Sequence, residues 1–271
     1  MNLSIFQAFI IAAIQGITEL FPISSLAHAI LVPYIFHFDF SLGSEGLLPF
    51  LTCLHLGTAL ALIVYFWKDW VNLLKGLFDR QLKSEQKLLG LIVVATIPAG
   101  LLGLLFEKKL AALFTDVKYV AIFLIINGFL LFLGEKLRKK HQMKTLAELT
   151  YGNAFLIGVA QALALLPGIS RSGVSLIGGL LTGLSHEAAA RLSFLLATPI
   201  ILAAALLEVP KIFKPEFHDI LMPSLFGGVV AGLFAFASTH FLMKYFKKND
   251  INSLLPFGIY CVVVGVLTFV F

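Results

Sequence analysis

Apolar residues run almost unbroken through six stretches of the chain, at roughly 48–67, 88–106, 118–135, 187–207, 219–243 and 253–271. Each is close to the ~20 residues a helix needs to cross the hydrocarbon layer of a membrane. The pattern therefore predicts an all-α protein with six transmembrane helices. Two further apolar regions fail that length test. Residues 1–35 are interrupted at Pro22, and residues 151–186 at Pro167-Gly168. Proline interrupts a helix ladder, and the halves left in 151–186, about 14 residues each, are too short to cross; the same logic applies to the first region, broken at Pro22.

Composition agrees with lipid as the main solvent. Hydrophobic residues make up 59% of the chain and charged residues only 13%, against about 25% charged in soluble domains; mean hydropathy is +0.96. Cys53 and Cys261 both fall within predicted spans. Two such residues build no disulfide framework and lack metal-ligand spacing, so they read as core. No basic start and small-residue cleavage site mark 1–35 as a signal peptide, and it reads as part of the mature fold.

Charge placement adds orientation. The formal net charge of +5 could suggest nucleic acid, but the cations lie in short loops between spans. No Lys or Arg precedes Lys68; five fall at 68–87, five at 136–144, and Lys244, Lys247 and Lys248 close the penultimate span. By the positive-inside rule, 68–87, 136–150 and 244–252 face the cytoplasm and both termini face outward. Residues 151–186 must then enter and leave on the cytoplasmic face, as a re-entrant helical hairpin, and 1–45 must do the same from the outer face. The two hairpins read as copies: Ile14-Gln15 precedes Pro22-Ile23-Ser24-Ser25, and Ala160-Gln161 precedes Pro167-Gly168-Ile169-Ser170-Arg171-Ser172. Opposite entry sides make an inverted-topology repeat, about 1–145 and 146–271, within a single integral membrane domain spanning 1–271. In such folds the ligand site lies near midplane, where broken helices converge.

Two charges sit deep in these hairpins, Glu19 in the first and Arg171 in the second. A charge at that depth costs at least about 2.5–3.5 kcal/mol and normally has a partner and a task. Gln15 and Glu19, four apart, share one helix face and offer hard oxygen ligands suited to Mg²⁺ or Ca²⁺. Ser24 and Ser25 follow Pro22 where a second half-helix starts, and its free N–H groups make an anion site. His28, three residues on, shares that face, so Ser25 and His28 can supply nucleophile and base or position a water. In the second hairpin Gly168 and Gly173 let backbone approach a ligand, Arg171 forks onto phosphate oxygens, and Ser170 and Ser172 add donors. The inventory fits a phosphorylated headgroup at membrane depth. No Gly-x-x-x-x-Gly-Lys-Ser/Thr motif is present. Of the other histidines, His37, His141, His186 and His218 read as ordinary polar residues; His55 and His240 lie within spans, and His55, in the first repeat's long helix, could reach the site but is not among the expected site residues.

At these residues the sequence resembles the bacitracin-resistance type of undecaprenyl-diphosphate phosphatase, over essentially the whole chain. The strongest parts are Gln15-Gly16-Ile17-Thr18-Glu19-Leu20-Phe21-Pro22-Ile23-Ser24-Ser25 with His28, and Pro167-Gly168-Ile169-Ser170-Arg171-Ser172-Gly173. The resemblance implies two inverted repeats with re-entrant hairpins. It also implies removal of the terminal phosphate from a C55 polyprenyl diphosphate in the bacterial cytoplasmic (inner) membrane, with the active site opening to the outer, periplasmic side. The product carrier returns to peptidoglycan synthesis. Departures from the family pattern are Leu26 and Ala27 in place of threonine and glycine, Ser175 for the usual threonine, and Leu51 and Arg191 where an acidic residue is usual in each long helix.

The roles expected on this resemblance are as follows. Glu19, helped by Gln15, holds a divalent cation against the diphosphate. Arg171, Ser170, Ser172 and the hairpin amides, with Ser24, Gly168, Gly173 and Ser175 around them, bind the phosphoryl oxygens. Ser25, or a water it positions, attacks the terminal phosphorus, and His28 handles the proton. Expected partners are the polyprenyl lipid and the bilayer, with no nucleic acid; a homodimer is possible. The rival reading is a transporter or flippase for polyprenyl phosphate or another anion, for which inverted repeats are also common.

Overall fold

The computed structural model describes residues 3–36, 43–113, 116–138, 144–249 and 251–270; His37 and His141 lie outside them. Eleven α-helices account for most of the described chain: α1 (Ile5–Thr18), α2 (Ser25–Ile35), α3 (Gly43–Tyr65), α4 (Trp67–Gly76), α5 (Lys83–Leu113), α6 (Val117–Leu137), α7 (Tyr151–Ala162), α8 (Arg171–Leu181), α9 (His186–Glu208), α10 (His218–Lys248) and α11 (Leu255–Leu267). Among the described residues five helices are long and apolar enough to cross a membrane: Gly46–Tyr65, Lys83–Phe106, Val117–Leu137, His186–Phe213 and Pro215–Lys248. The chain is a multi-pass membrane protein. The sixth predicted stretch, 253–271, is helical only over the 13 residues of α11, which at 1.5 Å per residue reach ~20 Å. Its start is delayed by a turn in which Asn252 has φ 57°.

The ends of the elements carry legible signals. Ser4 accepts from Gln7 N while the Gln7 side chain reaches back, a capping box that starts α1; Thr150 and Asn153 do the same for α7. Ser185 caps α9 by accepting from Ala188 N.

The three basic loops gather at one end of the bundle. Lys144 N donates to Gly183 O at 3.0 Å, and Lys87 Nζ to Ala147 O at 2.6 Å. Buried Glu135 ties α6 to the start of α11, accepting from Asn252 N at 3.0 Å and Leu254 N at 3.2 Å. It also meets His186 Nε2 at 3.0 Å and Arg138 Nε at 3.0 Å. A carboxylate there also opposes the positive end of α11. Glu135→Ala strands two N–H donors, at roughly 1–3 kcal/mol each. The expected outcome is a loss of at least about 2 kcal/mol of stability, read as a lowered thermal midpoint in detergent.

Two of the short helices run alongside long ones in the same direction. Ala12 of α1 meets Gly227 of α10, and Gly16 meets Ala231 and Ala235; Tyr151 meets Gly90 of α5, and Gly158 of α7 meets Ala95 and Pro98. Since α5 begins at the basic end and α10 finishes there, the α1–α2 and α7–α8 pairs start from opposite ends. Their breaks, at 19–24 and 163–170, lie beside the middles of α10 and α5. There they touch: Ser172 Oγ donates to Phe21 O at 2.9 Å.

Candidate functional site

Each second half-helix begins with a serine N-cap. Ser24 Oγ accepts from Ala27 N, and Ser170 Oγ accepts from Gly173 N at 3.1 Å. The residue after each cap occupies the first helical position, and these two residues, Ser25 and Arg171, converge on one carboxylate. Arg171 Nη2 donates to Glu19 Oε1 at 2.6 Å, and Ser25 Oγ to Glu19 Oε2 at 2.5 Å. Gln15, one turn before Glu19, donates from Nε2 to the same Oε2 at 3.1 Å. Glu19 is 8% exposed and the Arg171 side chain 16%. The two charges are remote in sequence and adjacent in space, in a setting where solvent screens them little.

His55, from α3, completes the cluster. Its Nε2 lies 3.3 Å from Glu19 Oε2, and its Nδ1 donates to Leu51 O at 2.8 Å. A carbonyl only accepts, so Nδ1 carries the hydrogen and Nε2 is the nitrogen turned to the site. Leu51, one of the departures from the family pattern, thus orients His55 through its backbone while its side chain packs with Leu3, Phe50 and Leu54. The second long-helix departure, Arg191, pairs with Asp69 near the basic end, where both border a cavity of about 520 Å³ between α4, α5, 144–147 and α9.

The structure places His28 differently from the expected serine–base pair. Its Nδ1 donates to Ser24 O at 2.7 Å, its Nε2 faces Tyr260 Oη at 2.8 Å, and the two rings stack at 5.6 Å. Both ring nitrogens are engaged, and Ser25 turns to Glu19 instead. The reason is local: a histidine four residues after a helix-starting carbonyl bonds back to it. That bond also helps hold Ser24 at φ 68°, a conformation costing about 1–3 kcal/mol in a non-glycine residue.

The remaining predicted residues lie at the same place but face protein partners. Ser170 Oγ and Ser172 Oγ are 3.0 Å apart. Ser175 Oγ donates to Arg171 O at 2.8 Å and lies 2.7 Å from Ser193 Oγ, while Arg171 Nη1 donates to Ser193 O at 3.2 Å. The hydroxyls thus brace the turn that carries Arg171. Gly168 and Gly173 also have packing reasons. Gly168 has φ 109°, and a Cβ there would lie 2.5 Å from Val120 O; one on Gly173 would meet Ser170 and Pro22.

For a divalent cation the donor set is Gln15 and Glu19. Gln15 Oε1 is buried without a hydrogen-bond partner, as is Oε1 of Gln161, its counterpart in the second hairpin. An orphaned amide oxygen one turn from a carboxylate fits a hard cation that takes its other ligands from phosphate and water. Among the described residues no group of three His, Cys, Asp or Glu is placed to hold a metal by itself.

A sequence model of the bacitracin resistance protein BacA family matches residues 8–267. Undecaprenyl-diphosphatase 2 of Chromobacterium violaceum is 49% identical, over 98% of this chain and 98% of its own length. Undecaprenyl-diphosphatase 2 of Oenococcus oeni is 47% identical over 97% of each chain. Undecaprenyl-diphosphatase of Gluconacetobacter diazotrophicus is 46% identical over 99% of this chain and 97% of its own. With its two polar hairpin turns inside the matched span, the chain belongs to the BacA family of bacitracin resistance proteins.

Proposed function

We propose that this chain hydrolyses undecaprenyl diphosphate to undecaprenyl phosphate and inorganic phosphate, returning the lipid carrier to cell-wall synthesis. The observation that carries this reading is the Glu19–Arg171 contact at 2.6 Å, made between two broken helix pairs halfway along the bundle. It suits a substrate whose charged group is held at the membrane and whose tail stays in lipid. On this reading α11 is a sixth, short crossing and α1–α2 and α7–α8 are re-entrant hairpins of an inverted repeat. The basic loops face the cytoplasm and the site opens toward the outer face of the inner membrane.

Arg171 is the group that binds the phosphoryl oxygens, since its planar fork matches their geometry. When Ser25 Oγ attacks the terminal phosphorus, the bond to the bridging oxygen breaks, undecaprenyl phosphate leaves, and water then hydrolyses the phosphoserine to inorganic phosphate and free Ser25; when Ser25 instead positions a water, that water's attack breaks the same bond and gives inorganic phosphate directly. The proton on Ser25 already points at Glu19 Oε2, so Glu19, rather than His28, is placed to receive it. His55 lies against the same oxygen and steadies the carboxylate through that transfer. His28 holds the Ser24 carbonyl and thereby the turn. A divalent cation would be held by Gln15 and Glu19, and when bound supplies neutralisation of phosphate charge.

The test is phosphate release from undecaprenyl diphosphate by purified protein in detergent, where no gradient exists. An enzyme turns over there; a pure transporter releases nothing, and that result would replace this reading with the transporter. A chelator is expected to stop release and added Mg²⁺ or Ca²⁺ to restore it. Turnover indifferent to the chelator would remove the cation from the account.

A further inference from the structure

Between the two hairpin turns stands one side chain that touches neither Glu19 nor Arg171. Asn127 lies at the middle of α6 and is fully buried, the one polar side chain within the run 120–133. Its Nδ2 donates to Pro22 O at 3.0 Å, in the turn between Glu19 and Ser25. Its Oδ1 accepts from Ser170 N at 2.9 Å, in the turn that delivers Arg171. Cys261 Sγ on α11 lies 3.3 Å from the same Nδ2, and no charged group is among its partners. A single amide therefore bridges the backbones of the two turns, using its donor on one and its acceptor on the other.

We infer that Asn127 is a positioning residue for the reaction: it sets the register of the first hairpin turn against the second, and so the place of Ser25 and Glu19 relative to Arg171. The inference rests on the hydrolysis reading and extends it to a residue outside both motifs. Its physical basis is the bonding pattern. Pro22 lies three residues from Glu19 and three from Ser25. Ser170 is the N-cap of α8 and adjoins Arg171, so fixing its N–H fixes the end of the helix from which the guanidinium springs. The serine cap of each turn secures only its own helix. Ser172 Oγ also reaches Phe21 O across the gap, but Asn127 ties a backbone group of each turn to the other, where a shift of even 1 Å is enough to cost about 10²-fold in rate. Apart from the weakly accepting Cys261 Sγ, the Asn127 amide is bonded only to these two backbone groups, which favours one arrangement.

The experiment uses full-length protein purified in detergent and assayed for phosphate release. Asn127→Leu is close in size and removes both bonds. Its kcat is expected to fall roughly 30- to 100-fold with KM within about threefold of wild type, because the substrate still binds but the reacting groups are misaligned. Asn127→Asp serves as the conservative variant. As a neutral acid it reproduces the amide, O–H donating to Pro22 O and C=O accepting from Ser170 N; as an anion it presses a charge on the Pro22 carbonyl. Its kcat relative to wild type at the same pH is expected to rise at least about fivefold between pH 8 and pH 5.5. Dividing by the wild-type rate removes the titration of the site's own groups. A purely structural asparagine would lower the amount of folded protein and leave that ratio flat.

A flat ratio for Asn127→Asp overturns the inference, and so does Asn127→Leu with kcat within twofold of an active wild type. Should Asn127→Leu fail to purify as a single species, the Asn127→Asp ratio decides alone. Wild-type protein that releases no phosphate sinks the hydrolysis reading itself, and the positioning role with it.

Discussion

Arg171→Ala is expected to lower phosphate release from undecaprenyl diphosphate at least about 10³-fold, and Arg171→Lys to recover little of it. Two losses combine. On the proposed reading the guanidinium takes charge from the phosphoryl oxygens, and its removal also leaves Glu19 buried with a large part of its compensation gone. Removing one member of a buried pair typically costs about 3–5 kcal/mol, because the surviving charge is uncompensated. His55 remains near Oε2 and softens that cost. Lysine restores a charge but not the fork that reaches Glu19 Oε1 through Nη2 and Ser193 O through Nη1. Stability separates the two losses. Arg171→Ala alone should melt well below wild type, whereas Glu19→Gln with Arg171→Ala should regain part of the difference, since the stranded charge is then absent. Both remain inactive. Arg171→Ala turning over at near wild-type rate would refute its role in binding phosphate, and equal melting of the single and double variants would refute the buried-pair account.

What the sequence disclosed and what it withheld follow from the kind of partner each residue has. Gln15 and Glu19 were readable as neighbours because a helix turn dictates it, and Nε2 indeed donates to Oε2 at 3.1 Å. The breaks at Pro22 and Pro167-Gly168 were readable because proline weakens a helix and polar residues follow each one; proline alone is no sufficient signal, since Pro33, Pro49, Pro98, Pro199 and Pro223 stand inside helices. Five of six expected crossings follow from apolar length alone. The same spacing logic misled at His28: i, i+3 puts it on the face of Ser25, but a closer acceptor, Ser24 O, holds its ring. His55 carries no local motif, and its approach to Glu19 depends on how α3 packs. Asn127 is harder still, since its hydrogen-bonded oxygen and nitrogen partners are backbone groups, which every residue possesses and no sequence pattern marks. Ser170, Ser172 and Ser175 were legible as a polar turn, but not that their hydroxyls would brace it.

The fold's own weak point lies where α3 meets α10. A Cβ on Gly57 would stand 1.9 Å from Gly228 O and 2.7 Å from its carbonyl carbon, while one on Gly232 would stand 3.0 Å from Gly57 O. These are backbone atoms, so no rotamer change relieves the clash. In lipid there is little hydrophobic force to hold helices together, and close packing of small residues takes its place. Gly57→Ala is therefore expected to destabilise by more than the ~1–3 kcal/mol usual for overpacking, and Gly57→Val to yield little folded protein. The consequence reaches the site, because His55 sits on the same helix two positions earlier and α10 also supports α1, where a Cβ on Gly16 would lie 2.3 Å from Ala231 O. Gly100 in α5 supplies the control, with nothing within 4 Å of its would-be Cβ; Gly100→Ala should melt at or slightly above wild type, alanine being the better helix former. Thermal melting in detergent, with the recovered monodisperse fraction, reads both. Equal midpoints for the two alanine variants would mean that α3 and α10 are not seated on each other through Gly57. His55 would then lack the support that holds it against Glu19.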